Sequence, residues 1–208
     1  MDISSYGPMT LAPSAAAVNS VSASASPAAG AIAIDGTLAS GGVATLGAAQ
    51  LITLVSGGND TGITFTITGT DCNGRAQTES TVGASAGTKT STKYFKTVSS
   101  ITHTGSVAGT LSVGNAIDSV SNNIFPDLSV PFTQIGIGVQ LVSGTATYKV
   151  QHSYQDGRSS HPTVWFDNSA GAKSASSEAT YSTPVATIQI LLSASSSAVI
   201  SGRIIQAG

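Results

Sequence analysis

Residues 63–68 read Ile-Thr-Phe-Thr-Ile-Thr, and that alternation constrains the chain more than any other feature. Successive side chains of an extended strand point to opposite faces. Ile63, Phe65 and Ile67 therefore line one face and the threonines line the other. β-Branched and aromatic residues suit such a half-buried pleated surface. Period two returns along most of the sequence. Ile32 and Ile34 alternate with small residues until Gly36, and Leu51, Ile52, Leu54 and Val55 run up to a Gly-Gly-Asn-Asp turn at 57–60. Asn73-Gly74 is a strong hairpin signal, and the return strand Ala76–Val82 is polar on both faces, as suits an edge. Residues 94–104 and 109–113 continue the series. Later, Phe132, Ile135, Ile137, Val139 and Leu141 carry a strand with a shift near Gln134 that reads as a bulge. Ser143-Gly144 reads as a turn, after which Ala146, Tyr148, Val150, His152 and Tyr154 share one face. Val164-Trp165-Phe166 is a short aromatic strand. Ile188, Ile190 and Leu192, then Ile200, Gly202 and Ile204, close the pattern.

Turn signals recur at roughly ten-residue spacing, and no helical period of useful length competes. The expected fold is all-β: two β-sandwich or barrel-like domains, 31–120 and 132–208, preceded by an extended N-terminal arm. Pro126 and Pro131 fit poorly in a central strand and mark 121–131 as the linker. The arm, residues 1–30, is Ala/Ser-rich and punctuated by Pro8, Pro13 and Pro27. It lacks an apolar helical stripe and is expected to order as an extended segment against a neighbour.

Charge narrows the function. Only 9% of residues are charged, and the first Lys or Arg is Arg75. Hydroxyls and backbone do most of the surface wetting, so little repulsion opposes repeated contact between chains. The strands are nearly free of the Lys and Pro that usually blunt sheet edges, which predicts edges covered by subunit pairing. A net charge of -2 with only Lys89, Lys93 and Lys96 loosely grouped argues against nucleic acid as a partner. No run approaches the roughly 18 apolar residues of a membrane span, and no secretory leader is readable at the start. Synthesis in a cytoplasm is expected. Cys72 is the sole cysteine, so neither an intramolecular disulfide nor a thiolate zinc site is available.

Candidate chemistry is sparse. Asp60-Thr61-Gly62 matches the aspartic-protease tripeptide, but turn formers precede it where an apolar strand is required, and an ordinary turn explains it better. His152, Asp156, His161 and Asp167 lie close in sequence without the spacing of a rigid metal site. His103 has no visible partner. Trp165, Phe166, Tyr148 and Tyr154 are aromatics at strand alternation. Core packing is their ordinary role; the four are also the candidates for a sugar-stacking platform, with Tyr148, Trp165 and Phe166 as the ligand contacts. No catalytic residues, metal or cofactor are expected, and an enzyme is not the expected reading.

Ile63-Thr64-Phe65-Thr66-Ile67-Thr68-Gly69-Thr70-Asp71 followed by Asn73-Gly74 resembles a module of small β-rich virion structural proteins of tailed bacteriophages. So does Lys93-Tyr94-Phe95-Lys96-Thr97-Val98, with Gly114 after the next strand. Tyr148-Lys149-Val150-Gln151-His152, Trp165-Phe166, Pro184-Val185 and Gln206-Ala207-Gly208 are similar to another pattern of that group. The resemblance implies a virion protein of the capsid decoration, or cement, type on the outer capsid surface. Its implied partners are the major capsid protein and itself, as a homotrimer before a dimer. The alternatives are a neck, tail or head-fibre component, or a host-glycan binding module of the virion.

Overall fold

The computed structural model describes residues 3–129, 134–159 and 161–207. Phe132, the last two residues of the expected linker, Ser160 and Gly208 lie outside the described residues. The chain is all-β, with no helix among the described residues. In order it forms β1 (Ile3–Leu11), β2 (Ala17–Ala25), β3 (Gly30–Ile32), β4 (Ala39–Ser40), β5 (Val43–Ser56), β6 (Thr64–Thr70) and β7 (Ala76–Val82). Then come β8 (Thr88–His103), β9 (Leu111–Val120), β10 (Gln134–Ser153), β11 (Phe166–Asp167), β12 (Ser177–Tyr181) and β13 (Thr187–Ala207). They sort into two compact units. One is Pro13–Ser119; the other joins residues up to Ala12 with those from Val120 on.

In the Pro13–Ser119 unit the strand order is β9-β5-β8-β6-β7, with β2 on β9, β3 on β8 and β4 on β5. β8 serves three neighbours: residues 88–98 pair with β5, 97–103 with β6 and 101–103 with β3. The Ile/Phe face of β6 is buried as its alternation requires, and Phe65, Ile67, Phe95, Ile101, Ile52 and Leu54 form the centre of the core. The other face is a lattice of hydroxyls. Thr66 bonds Ser80 at 3.1 Å, and Thr70 bonds Thr97 at 2.8 Å. The Asn73-Gly74 turn forms as expected, with Gly74 at a φ of 80°. The Asp71 carboxylate accepts the amides of Asn73 and Arg75 and shapes that loop.

The second unit is built on one long antiparallel ribbon, β10 paired with β13. β12 and β11 lie on the other edge of β10, against its first and last parts respectively. No hairpin forms at Ser143-Gly144. β10 runs through it, with Gly144 at a φ of 72° and register shifts from Leu141 to Thr145. Among the described residues the irregularity lies there; pairing is regular from Gln134 to Leu141, and the expected shift after Phe132 falls outside the described residues. The irregularity also moves the buried positions from Ile135, Ile137 and Val139 to Ala146, Tyr148 and Val150. The two halves of the ribbon fold over a shared core. Ser177 pairs with Val139 in the first half, yet its hydroxyl meets that of Tyr148 in the second at 2.8 Å.

The segment expected to be an arm is divided between the units. β1 pairs along β13, from Ile3 opposite Ala207 to Leu11 opposite Ile200. Its Gly7-Pro8 falls at a register break, tolerated because β1 is an edge. β2 joins the other unit, and the amides of Gly36 and Leu38 bond its carbonyls. The extended segment finds its neighbour within the chain, because Leu11 and Val21 both have a core to enter. The expected linker is also packed. Ile124 bridges to Ile188, and the Asp127 amide is shared by the Tyr6 hydroxyl and the Gln206 side chain.

Candidate functional site

The face of β10 that carries Tyr148, Val150 and His152, continued by Tyr154 just past its end, emerges from the core step by step. Tyr148 and Val150 are buried, His152 is half-buried and Tyr154 is 61% exposed. Phe166 sits directly across from His152 in the β10–β11 register and is itself 46% exposed. Their rings stack at 5.7 Å between centroids. Tyr154 meets His152 edge-on at 5.4 Å and leans toward Phe166 at 5.8 Å. Tyr181, buried at the end of β12, abuts the imidazole at 5.0 Å. The result is two exposed rings resting on a half-buried imidazole, with a buried phenol beneath.

The adjacent strand face is polar. Asp167 lies opposite Gln151. Its carboxylate accepts Lys149 Nζ at 2.6 Å and Gln151 Nε2 at 2.8 Å. Those donors hold the Asp167 carboxyl below the usual carboxylate range. Burial pushes the His152 imidazole down, and its Nδ1 is buried with no hydrogen-bond partner among the described residues. His152 is therefore neutral at pH 7 and serves as a third aromatic surface. Burial pushes the Tyr181 phenol up to about 12, so it too stays neutral.

Of the four candidate aromatics, Tyr154 and Phe166 belong to this cluster, and Tyr148 and Trp165 do not. Tyr148 does not reach solvent: it is 1% exposed, and its hydroxyl donates to the Ala175 carbonyl at 2.7 Å. The fold of β10 over itself places Tyr148 in the core, which removes it as a ligand contact. Trp165 is half-buried, donates its indole N–H to the Pro162 carbonyl at 3.1 Å and packs beside His161. It stands outside the Tyr154–Phe166 pair. His152, grouped in the sequence with Asp156, His161 and Asp167, joins Tyr154 and Phe166 instead, and its period-two relation to Tyr148 and Tyr154 was the available signal.

The other motifs resolve into structure. Among the described residues no three His, Cys, Asp or Glu side chains gather as metal ligands. Asp156 pairs with Arg158, Asp167 with Lys149. Asp60 is fully buried, and its Oδ1 accepts the Ala108 amide at 2.7 Å, tying two loops together. His103 stacks on Phe65 at 5.7 Å and reaches the Gly105 carbonyl at 2.7 Å through Nδ1. Lys93 donates to the Thr78 carbonyl, and Lys96 to those of Leu46 and Gly47. These ammoniums brace backbone, and burial pushes that of Lys96 down.

No protein-family model matches the chain, and no curated protein matches it. Among solved structures, the chain has a distant likeness to the crystal structure of PBSX exported protein XepA. That likeness has a TM-score of 0.30 and 8% identity, covering 96% of this chain and 86% of that one. At that score it carries no argument. Among the described residues no helix is long and apolar enough to cross a membrane.

Proposed function

We propose that this chain is a bacteriophage virion structural protein, a capsid decoration protein that bridges major capsid subunits and carries no catalytic centre. The observation that supports the reading is the uncharged hydroxyl lattice on β6, β7 and β8. Thr66, Thr68, Ser80 and Thr78 bond one another across strands. Lys93, one of the few cations near them, is tied to a carbonyl. Such a surface can be laid against others in many copies without charge repulsion, and repeated weak contacts then add through multivalency. The segment expected to extend against a neighbour pairs within the chain, so capsid contact falls to faces of the units. The test is quantitative mass spectrometry of purified particles. Copies in the hundreds per particle support decoration; a handful moves the chain to neck, tail or fibre; absence from particles overturns the reading.

A second reading rests on the Tyr154–Phe166 pair. Two exposed rings beside a fixed carboxylate and amide offer what a sugar needs: an apolar surface for its C–H face and acceptors for its hydroxyls. Binding on a glycan array that disappears in Tyr154→Ala supports it. A blank array, or binding untouched by that change, removes it.

A further inference from the structure

Along the first half of β10, Ile135, Ile137 and Val139 point into the core, which turns Gly136 and Gly138 outward. The flanking strands do not close over them. Glu178 of β12 and Arg203 of β13 both stand opposite Gly138, one on each side. Thr180 and Ile205 flank Gly136 in the same way. Two adjoining hollows of about 340 and 330 Å³ run along this glycine floor. Ile205 is 52% exposed on its wall. Glu178 and Arg203 are exposed, and among the described residues neither forms an ion pair.

We propose that this face is the contact between two copies of the chain, closed by Glu178 of each copy against Arg203 of the other. The symmetry follows from the register. The two charges stand one strand to either side of Gly138. A twofold axis along β10, lying between the two facing sheets, sets each arginine over the opposite glutamate and each Ile205 over the opposite Thr180. That is the self-complementary arrangement of an isologous dimer. A twofold across the strands instead sets like charges together, which selects against it. The absence of side chains at Gly136 and Gly138 lets the sheets approach more closely than the ~10 Å of ordinary face packing. The strip is small beside the roughly 800 Å² per partner of a standard interface. Its association is therefore concentration-dependent and salt-sensitive. It also makes dimers, where the phage resemblance implies trimers.

Sedimentation equilibrium of the full chain tests the face, from about 10 μM to about 1 mM. The wild-type chain is expected to populate a dimer. Glu178→Arg and Arg203→Glu alone should each weaken it at least tenfold, since each stacks like charges on the twofold. An equimolar mixture of the two variants should recover a dimer, because each then meets its opposite. That recovery also shows both variants folded. A wild-type chain that stays monomeric throughout the range, a trimer, or variants that dimerise as the wild type does would overturn the proposal. The inference does not rest on the virion reading: a monomer found in particles would remove this face and leave that reading standing.

Discussion

Gly69 and Gly138 both sit in mid-strand, and they do opposite things. A methyl group on Gly69 would lie 1.9 Å from the Thr97 carbonyl oxygen. One on Gly138 would meet nothing within 4 Å. The contrast extends to their neighbourhoods. In the Pro13–Ser119 unit, Gly58 and Gly114 also press against backbone, at Ala108 and Ala17. Buried polar groups there staple loops, as Asp60 does, and the large aromatics Phe65 and Phe95 are interior. In the unit built on β10 and β13, Gly157 and Gly202 meet only side chains, Gly136 and Gly138 clear space outside, and Tyr154 and Phe166 are left at the surface. Mid-strand glycine thus serves two ends in one chain, close strand approach at Gly69 and an open surface at Gly136 and Gly138. The exposed aromatic pair and the open glycine floor lie in the unit of β10 and β13, whereas the hydroxyl lattice lies in the Pro13–Ser119 unit.

The contrast can be broken most sharply at Gly69. Gly69→Ala should cost about 3 kcal/mol, because carbonyl and methyl cannot share that space without moving β8 from β6. Urea unfolding checks it, and a loss within about 0.5 kcal/mol would mean the strands separate easily there. Next, Asp60→Ala should lose about 1–3 kcal/mol, since the Ala108 amide is left unsatisfied. Asp60→Asn, which keeps the accepting oxygen, should lose less. The third effect is a pH dependence in the other unit. Folded His152 takes a proton less readily than an unfolded histidine, so stability should fall as pH drops through about 6.5. His152→Phe should flatten that part of the thermal midpoint against pH; an unchanged slope assigns the dependence elsewhere. The smallest effect is Gly138→Ala, expected within about 0.5 kcal/mol of wild type because the space is open. A large loss there would erase the distinction between the two glycines.

Local alternation was legible, and what depends on distant pairing was not. Ile63, Phe65 and Ile67 announced their burial because a strand has only two faces, and Asn73-Gly74 announced its turn by its own chemistry. Ser143-Gly144 carries the same turn vocabulary, yet β10 passes through it because β13 pairs with it on both sides of the bend. That bend decides which aromatics see solvent. Tyr148 and Tyr154 share one face and one residue type, and only the folding of the ribbon buries the first and exposes the second. β1 was illegible for a similar reason. An Ala/Ser-rich start gives no sign that Leu11 will lie opposite Ile200. The Tyr154–Phe166 pair required knowing that residue 166 returns beside residue 152, which no spacing rule supplies.

The pairing of β1 with β13 also sets a timetable. Tyr6 and Gln206, hydrogen-bonded in the finished molecule, are 200 residues apart in the chain. During synthesis β1 emerges ahead of the other described strands and waits for β13, while every strand of the Pro13–Ser119 unit is translated in between. That unit has its full set of strands well before the ribbon exists. The slow, non-local closure falls on β13, and until it arrives β1 is an unpaired edge available to any other nascent copy.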